Sequence, residues 1–209
     1  MKIKICNNEN GRSMVEMLGV LAIIGVLSVG AISGYSTAMN KYKLNKQTEQ
    51  YNTVISAIIK YYYNLTDFDI SAIKSSYGIA LIPYLKVLGE IPTEMLKRNS
   101  QTSINDVYNN SIEIYQHNTG YTGMLINLRN SSHSIETCKN LTQIAIPFSD
   151  VLYSLMFRVN ANASYTSFYG KECKAPSKCL KDAKLSDIHD LCSRCQESTS
   201  VCTFLLMFK

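Results

Sequence analysis

The stretch RSMVEMLGVLAIIGVLSVGAISGYSTAM, residues 12–39, carries no charged side chain from Met17 to Met39. At 1.5 Å per residue, those positions make a helix of about 35 Å, enough to cross a bilayer core of about 30 Å. Near-zero mean hydropathy over all 209 residues hides this segment, because the rest of the chain is rich in Asn, Ser, Thr and Tyr. That length suits one head of ordinary size plus an anchor, and is too short for two independent cores. Lys2, Lys4 and Arg12 precede the apolar run. By the positive-inside rule they hold the N-terminus in the cytoplasm and send the head outward.

Three processing routes fit an apolar N-terminus. A secretory signal would be cut after small residues, for which Ala31-Ile32-Ser33 offers a site, and a signal anchor would stay uncut. Neither uses Glu16. A carboxylate at the edge of an apolar helix costs on the order of 2–3 kcal/mol on insertion scales, so it calls for a partner. The third route supplies one, because hydrolysis between Gly11 and Arg12 creates an α-ammonium four residues before Glu16. When subunits stack with a small axial offset, the carboxylate of one meets the terminal amine of its neighbour. Each neutralises a charge that is costly in a low-dielectric bundle, and the pair sets register.

A glycine, a fifth following residue that is glutamate, then a long apolar run resembles the leader and N-terminal helix of type IV pilins and type II secretion pseudopilins. The resemblance implies cleavage after Gly11 by a prepilin peptidase, methylation of the new N-terminus at Arg12, and a filament-assembly role for Glu16. It also matches Gly25 to the family's helix glycine. The chain departs from the family in having Arg where Phe or Met is usual, and Ser33 and Gly34 near the place of the familiar helix proline. Gly30 and Gly34 form a G-x-x-x-G spacing, which either lets helices approach closely or is merely tolerated. The implied division is a leader over 1–11, a transmembrane and filament-core helix over 12–39, and a head over 40–209 whose helix continues to about residue 64.

Within the head, Tyr51, Ile55, Ile58 and Tyr62 recur at helical spacing and give one face for packing on a sheet. Tyr61, Tyr62 and Tyr63 read as helix-to-sheet packing in preference to a ligand-stacking cluster. Further along, the pattern predicts a helix from Ile79 to Leu88, a turn over 89–92 and a polar loop over 97–101. A hairpin follows, from the alternating run starting at Ser111, through Gly120, into Gly123 to Leu128. A short helix from Ile135 to Ile144 and a closing strand from Cys202 to Phe208 complete an α+β head on an antiparallel sheet. Residues 88–141 with Cys202 are loosely similar to type IVb pilins, which implies that a disulfide ties the C-terminal region to the core. Residues 160–200 resemble nothing.

Of seven cysteines, Cys6 lies in the leader, and Cys138, Cys173, Cys179, Cys192, Cys195 and Cys202 lie in the head. In an exported head these six form up to three disulfides, whose pairing the sequence does not rank. One favoured bond joins Cys138 to one of the last three. Closing a loop of about 60 residues restrains the unfolded chain by about 4 kcal/mol in the entropic model. Cys192-Ser193-Arg194-Cys195 with Cys173 and Cys179 also sketches a four-thiolate zinc site or a redox centre, though no βαβ context accompanies it.

Net charge is +5, and loss of Lys2, Lys4 and Glu9 with the leader lowers it by one, so the mature chain is modestly basic. Lys171, Lys174, Lys178, Lys181 and Lys184 stud one segment, either as an anionic or DNA contact or as a solvated loop. Asp187, His189 and Asp190 lack a positioned Ser or a second His, and no phosphate-cradling glycine loop is present. No catalysis, cofactor or metal is therefore expected. The expected role is a pilus subunit held in the bacterial inner membrane before assembly and outside the cell afterwards. Its partners would be copies of itself, the prepilin peptidase, an assembly ATPase and a membrane platform, with adhesion, motility, aggregation or DNA uptake as tasks. A pseudopilin and a membrane-anchored thiol oxidoreductase using Cys192 and Cys195 are the alternatives.

Overall fold

The computed structural model describes residues 14–65, 74–75, 77–97, 100–129, 133–159, 163–174, 176–195 and 201–209. The chain divides into two compact units at Tyr42/Lys43. Helix α1 (Met14–Leu65) contributes to both, and no proline or glycine interrupts it after Gly34.

In the second unit, α1 is followed by β1 (Lys74–Ser75), β2 (Gly78–Ala80), α2 (Ile82–Val87), β3 (Ser103–Asn105), β4 (Ser111–Gln116) and β5 (Thr122–Asn127). Then come α3 (Ser134–Ala145), β6 (Leu152–Arg158), β7 (Thr166–Tyr169), α4 (Leu185–Cys192) and β8 (Thr203–Phe208). The strands form one eight-stranded sheet in the order β1-β2-β4-β5-β8-β6-β7, with β3 also pairing β4. Every pairing between these strands is antiparallel. The α+β fold with a long N-terminal helix and a disulfide-bonded C-terminal region is the expected one, and its layout is compatible with a pilin.

Alternation divides the sheet into two faces. Ile112, Ile114, Met124, Ile126, Phe204 and Leu206 point inward and join Tyr51, Val54, Ile55 and Ile58 of α1 in one buried cluster. Each such side chain contributes about 1.5–3 kcal/mol of gross burial energy, so this helix face anchors the head. Tyr62 is half-buried at its end and donates its hydroxyl to the Gly120 carbonyl at 3.3 Å. Tyr61 is also half-buried and donates to Glu90 at 2.9 Å, while the Tyr63 side chain lies outside the description.

One expected element is corrected. The helix expected from Ile79 to Leu88 is a strand followed by a shorter helix, because Ile79 and Ala80 pair with Gln116 and Tyr115 of β4. Pro83 then opens α2, where its missing N–H is harmless. Gly78 turns into this strand at φ +154°, and a Cβ there would meet the Gln116 carbonyl. The hairpin, α3 and the closing strand lie where the pattern puts them. β6, β7 and α4 are additions, and α4 is capped by Asp187, whose carboxylate accepts the Lys184 amide at 3.0 Å.

Candidate functional site

From Met14 to Ile32, α1 exposes twelve large apolar side chains, each between 53% and 84% accessible. Covering them is worth on the order of 10–20 kcal/mol at ordinary transfer energies, which water alone does not supply. By length and composition the helix is able to cross a membrane. Its hydroxyls suit an apolar solvent as well: Ser28 and Thr37 donate to the carbonyls of Ile24 and Ser33, at 2.7 and 3.1 Å.

Glu16 sits in the first turn, where the helix dipole favours a negative charge. Gly11 and Arg12, the expected cleavage and methylation positions, lie outside the described residues. At Gly25, Gly30 and Gly34 no atom beyond the chain neighbours and the helix's own local backbone lies within 4 Å of where a Cβ would stand. Each therefore opens a notch into which a neighbouring helix could settle.

The six head cysteines form three disulfides, Cys138–Cys192, Cys173–Cys179 and Cys195–Cys202, with Cα separations of 5.5, 5.5 and 5.8 Å. Cys138 thus bonds one of the last three cysteines and ties α3 to α4. The zinc and redox alternatives lose their chemistry here. All four thiols they require are spent in disulfides, and Cys192 and Cys195 are bonded to different partners instead of to each other. The five lysines between Lys171 and Lys184 are all exposed, with Glu172 and Asp182 interleaved and Asp187 just beyond them. The segment is a solvated mixture of charges.

A buried polar centre at Asp106 escaped the sequence reading. Its Oδ2 accepts from Gln47 Nε2 at 2.6 Å, the Tyr51 hydroxyl at 2.9 Å and Asn110 Nδ2 at 2.8 Å. Its Oδ1 accepts the backbone amides of Tyr108 and Asn110, at 2.9 and 2.8 Å. Gln50 accepts the Val107 amide, and Asn140 of α3 donates to Gln47. This network clamps the β3–β4 turn onto α1, with Asn109 in the left-handed region at φ 65°. Burial, and then the charge and hydrogen bond of Asp106, push the Tyr51 hydroxyl well above its usual pKa. Gln47 and Gln50 on an otherwise packing face were the available signal.

The outward face of the sheet also escaped it. Tyr115, Tyr121, Tyr153, Tyr165 and Tyr169 gather there with Tyr77, and Tyr77 stacks on Tyr115 with centroids 5.4 Å apart. A groove of about 470 Å³ is lined by Tyr77, Tyr115, Tyr121 and Tyr153 with Gly123, Leu205 and Met207. Comparison of the chain with known protein families, with curated proteins and with solved structures finds no match.

Proposed function

We propose that the chain is the precursor of a type IV pilin-like subunit, cut after Gly11 and polymerised through the first half of α1. One observation carries this reading. A helix with an uncovered apolar surface and Glu16 in its first turn continues as the spine of an α+β head. Lipid covers that surface before assembly, and neighbouring helices cover it afterwards. Glu16 then meets the Arg12 ammonium of an adjacent subunit, which offsets the cost of burying either charge alone. Because the same head-to-tail contact repeats without closing, it produces a helical filament.

The expected sequence of places is the inner membrane, with the head outside the cytoplasm, and then an extracellular filament. A prepilin peptidase, an assembly ATPase and a membrane platform act on the subunit, which itself performs no chemistry. Mass spectrometry of the membrane or filament fraction should find a mature N-terminus at Arg12. Recovery of only an intact chain, or of one cut after Ser33, would reject the processing step. Electron microscopy of cells with and without the gene should show surface filaments lost in its absence. Unchanged surface filaments, together with a secretion defect, would point to a pseudopilin.

A further inference from the structure

The sheet ends at β7, and an edge strand offers unpaired N–H and C=O groups to any extended chain that meets it. Part of this edge is sealed by a later segment. The Tyr169 amide donates to the Lys178 carbonyl at 2.8 Å, and Tyr169 forms an isolated parallel bridge with Cys179. Cys179 is bonded to Cys173, six residues back, so the disulfide holds the covering segment against β7.

The chain is fastened independently on either side of this cover. Before it, the Gly170 and Lys171 amides donate to the Tyr153 and Leu152 carbonyls of β6, at 2.9 and 2.8 Å. Gly170 lies so close to its neighbours that a Cβ would run into the carbonyls of Leu152 and Ser149. After it, Leu180 is fully buried in the core. Opening the disulfide therefore loosens the cover between two fixed points and leaves the rest of the head in place.

Access to sulfur is selective. The cysteines of the Cys138–Cys192 and Cys195–Cys202 bonds are at most 1% exposed, whereas Cys173 and Cys179 are half-exposed and line a cleft of about 500 Å³. Lys178 and Lys181 line the same cleft, and a neighbouring ammonium favours the thiolate that departs when a disulfide is attacked. We propose that Cys173–Cys179 is a thiol-exchange site, opened by a dithiol, that works as a reversible clasp over the β7 edge. One thiolate of the dithiol attacks a sulfur of the pair, forming a mixed disulfide and releasing the other cysteine as a thiolate. The second thiolate of the dithiol then displaces the remaining cysteine. Two electrons and two protons pass to Cys173 and Cys179, which end as thiols, and the dithiol leaves as a disulfide. The chain is the substrate of this exchange and not its catalyst. The site belongs to the head alone, so it stands or falls separately from filament assembly.

The test uses the full chain, isotope-labelled and in zwitterionic micelles, with limiting dithiothreitol as the dithiol. Peptide mapping of an alkylated aliquot identifies which bond has opened, and NMR follows amide hydrogen exchange residue by residue in the rest. Opening of Cys173–Cys179 should speed exchange at the Tyr169 amide by about tenfold or more, the mark of a local opening. The Gly170 and Lys171 amides, held by β6, should keep their rates. Reoxidation with glutathione disulfide should restore slow exchange at Tyr169, and the paired variant Cys173→Ser and Cys179→Ser should show the fast rate without any dithiol. Earlier opening of either buried disulfide, an unchanged Tyr169 rate in both the reduced chain and the variant, or equal acceleration at Tyr169, Gly170 and Lys171 would each overturn the proposal.

Discussion

Asp106 is the residue on which the head's polar interior turns, since five donors converge on one carboxylate that is only 6% exposed. Asp106→Ala leaves Gln47, Tyr51 and Asn110 with buried, unsatisfied groups at about 1–3 kcal/mol each. Urea unfolding of the variant should show a loss of at least about 3 kcal/mol, and a loss under 1 kcal/mol would mean that the turn rearranges to resatisfy them. Ser154 is the contrasting case. It is fully buried, and its hydroxyl has no hydrogen-bond partner among the described residues, so Ser154→Ala should be neutral or stabilise by up to about 1 kcal/mol in the same assay. Two tyrosines set the alkaline limit. Tyr51 is raised well above 10 by burial and Asp106, and burial pushes Tyr115 up to about 12. Above pH 10 the unfolded chain releases these protons while the folded head keeps them. Stability is therefore intact below about pH 10 and falls as pH rises through the folded values. Stability against pH should fall less steeply above pH 10 in Tyr51→Phe than in the parent; an identical slope would remove Tyr51 from the account.

At the scale of elements, the three disulfides differ in loop length and exposure. The Cys138–Cys192 bond spans 54 residues and is buried, whereas Cys173–Cys179 spans 6 and is half-exposed. The entropic model assigns about 4 kcal/mol to the first and about 2 kcal/mol to the second. Paired Ser substitutions at Cys138 and Cys192 should lower Tm by at least as much again as those at Cys173 and Cys179. Mild reductant followed by alkylation and peptide mapping should label Cys173 and Cys179 first; earlier labelling of Cys138 would contradict the burial argument. Sequence patterns revealed the elements whose signal is local. The apolar run with Tyr51, Ile55 and Ile58 marks α1, the Ser111–Gln116 and Thr122–Asn127 pair is closed by Gly120, and α3 follows its own periodicity. What stayed hidden is non-local or irregular. In β6 the register shifts between Leu152 and Ser154, which breaks the two-residue alternation a reader would look for. β8 lies between β5 and β6, so its central position depends on partners 76 and 51 residues away in the pairs Asn127↔Thr203 and Leu155↔Leu206. The tyrosine groove was illegible for the same reason, because Tyr77, the Tyr115–Tyr121 hairpin and Tyr153 come from three separate places in the chain.

For the whole molecule, the two units have opposite demands on their surroundings. The core begins at Tyr51, and among the described residues none before Gln47 is buried. The buried core is thus built from residues of the second unit, whereas the twelve exposed apolar residues of the first half of α1 seek lipid or other helices. A fragment of residues 40–209 should be soluble without detergent, form the three disulfides, and unfold cooperatively. The full chain should enter the membrane or micelle fraction. Circular dichroism and sedimentation of the fragment supply the check, since the helix from Lys43 onward keeps its buried face and the Asp106 clamp. An unfolded fragment would show that the apolar half supports the head after all. A folded fragment that nevertheless polymerised would place assembly contacts on the head and displace Glu16 from its proposed role. The expected result, a folded monomer, assigns cohesion to the helix and leaves the sheet's outward face available for a ligand.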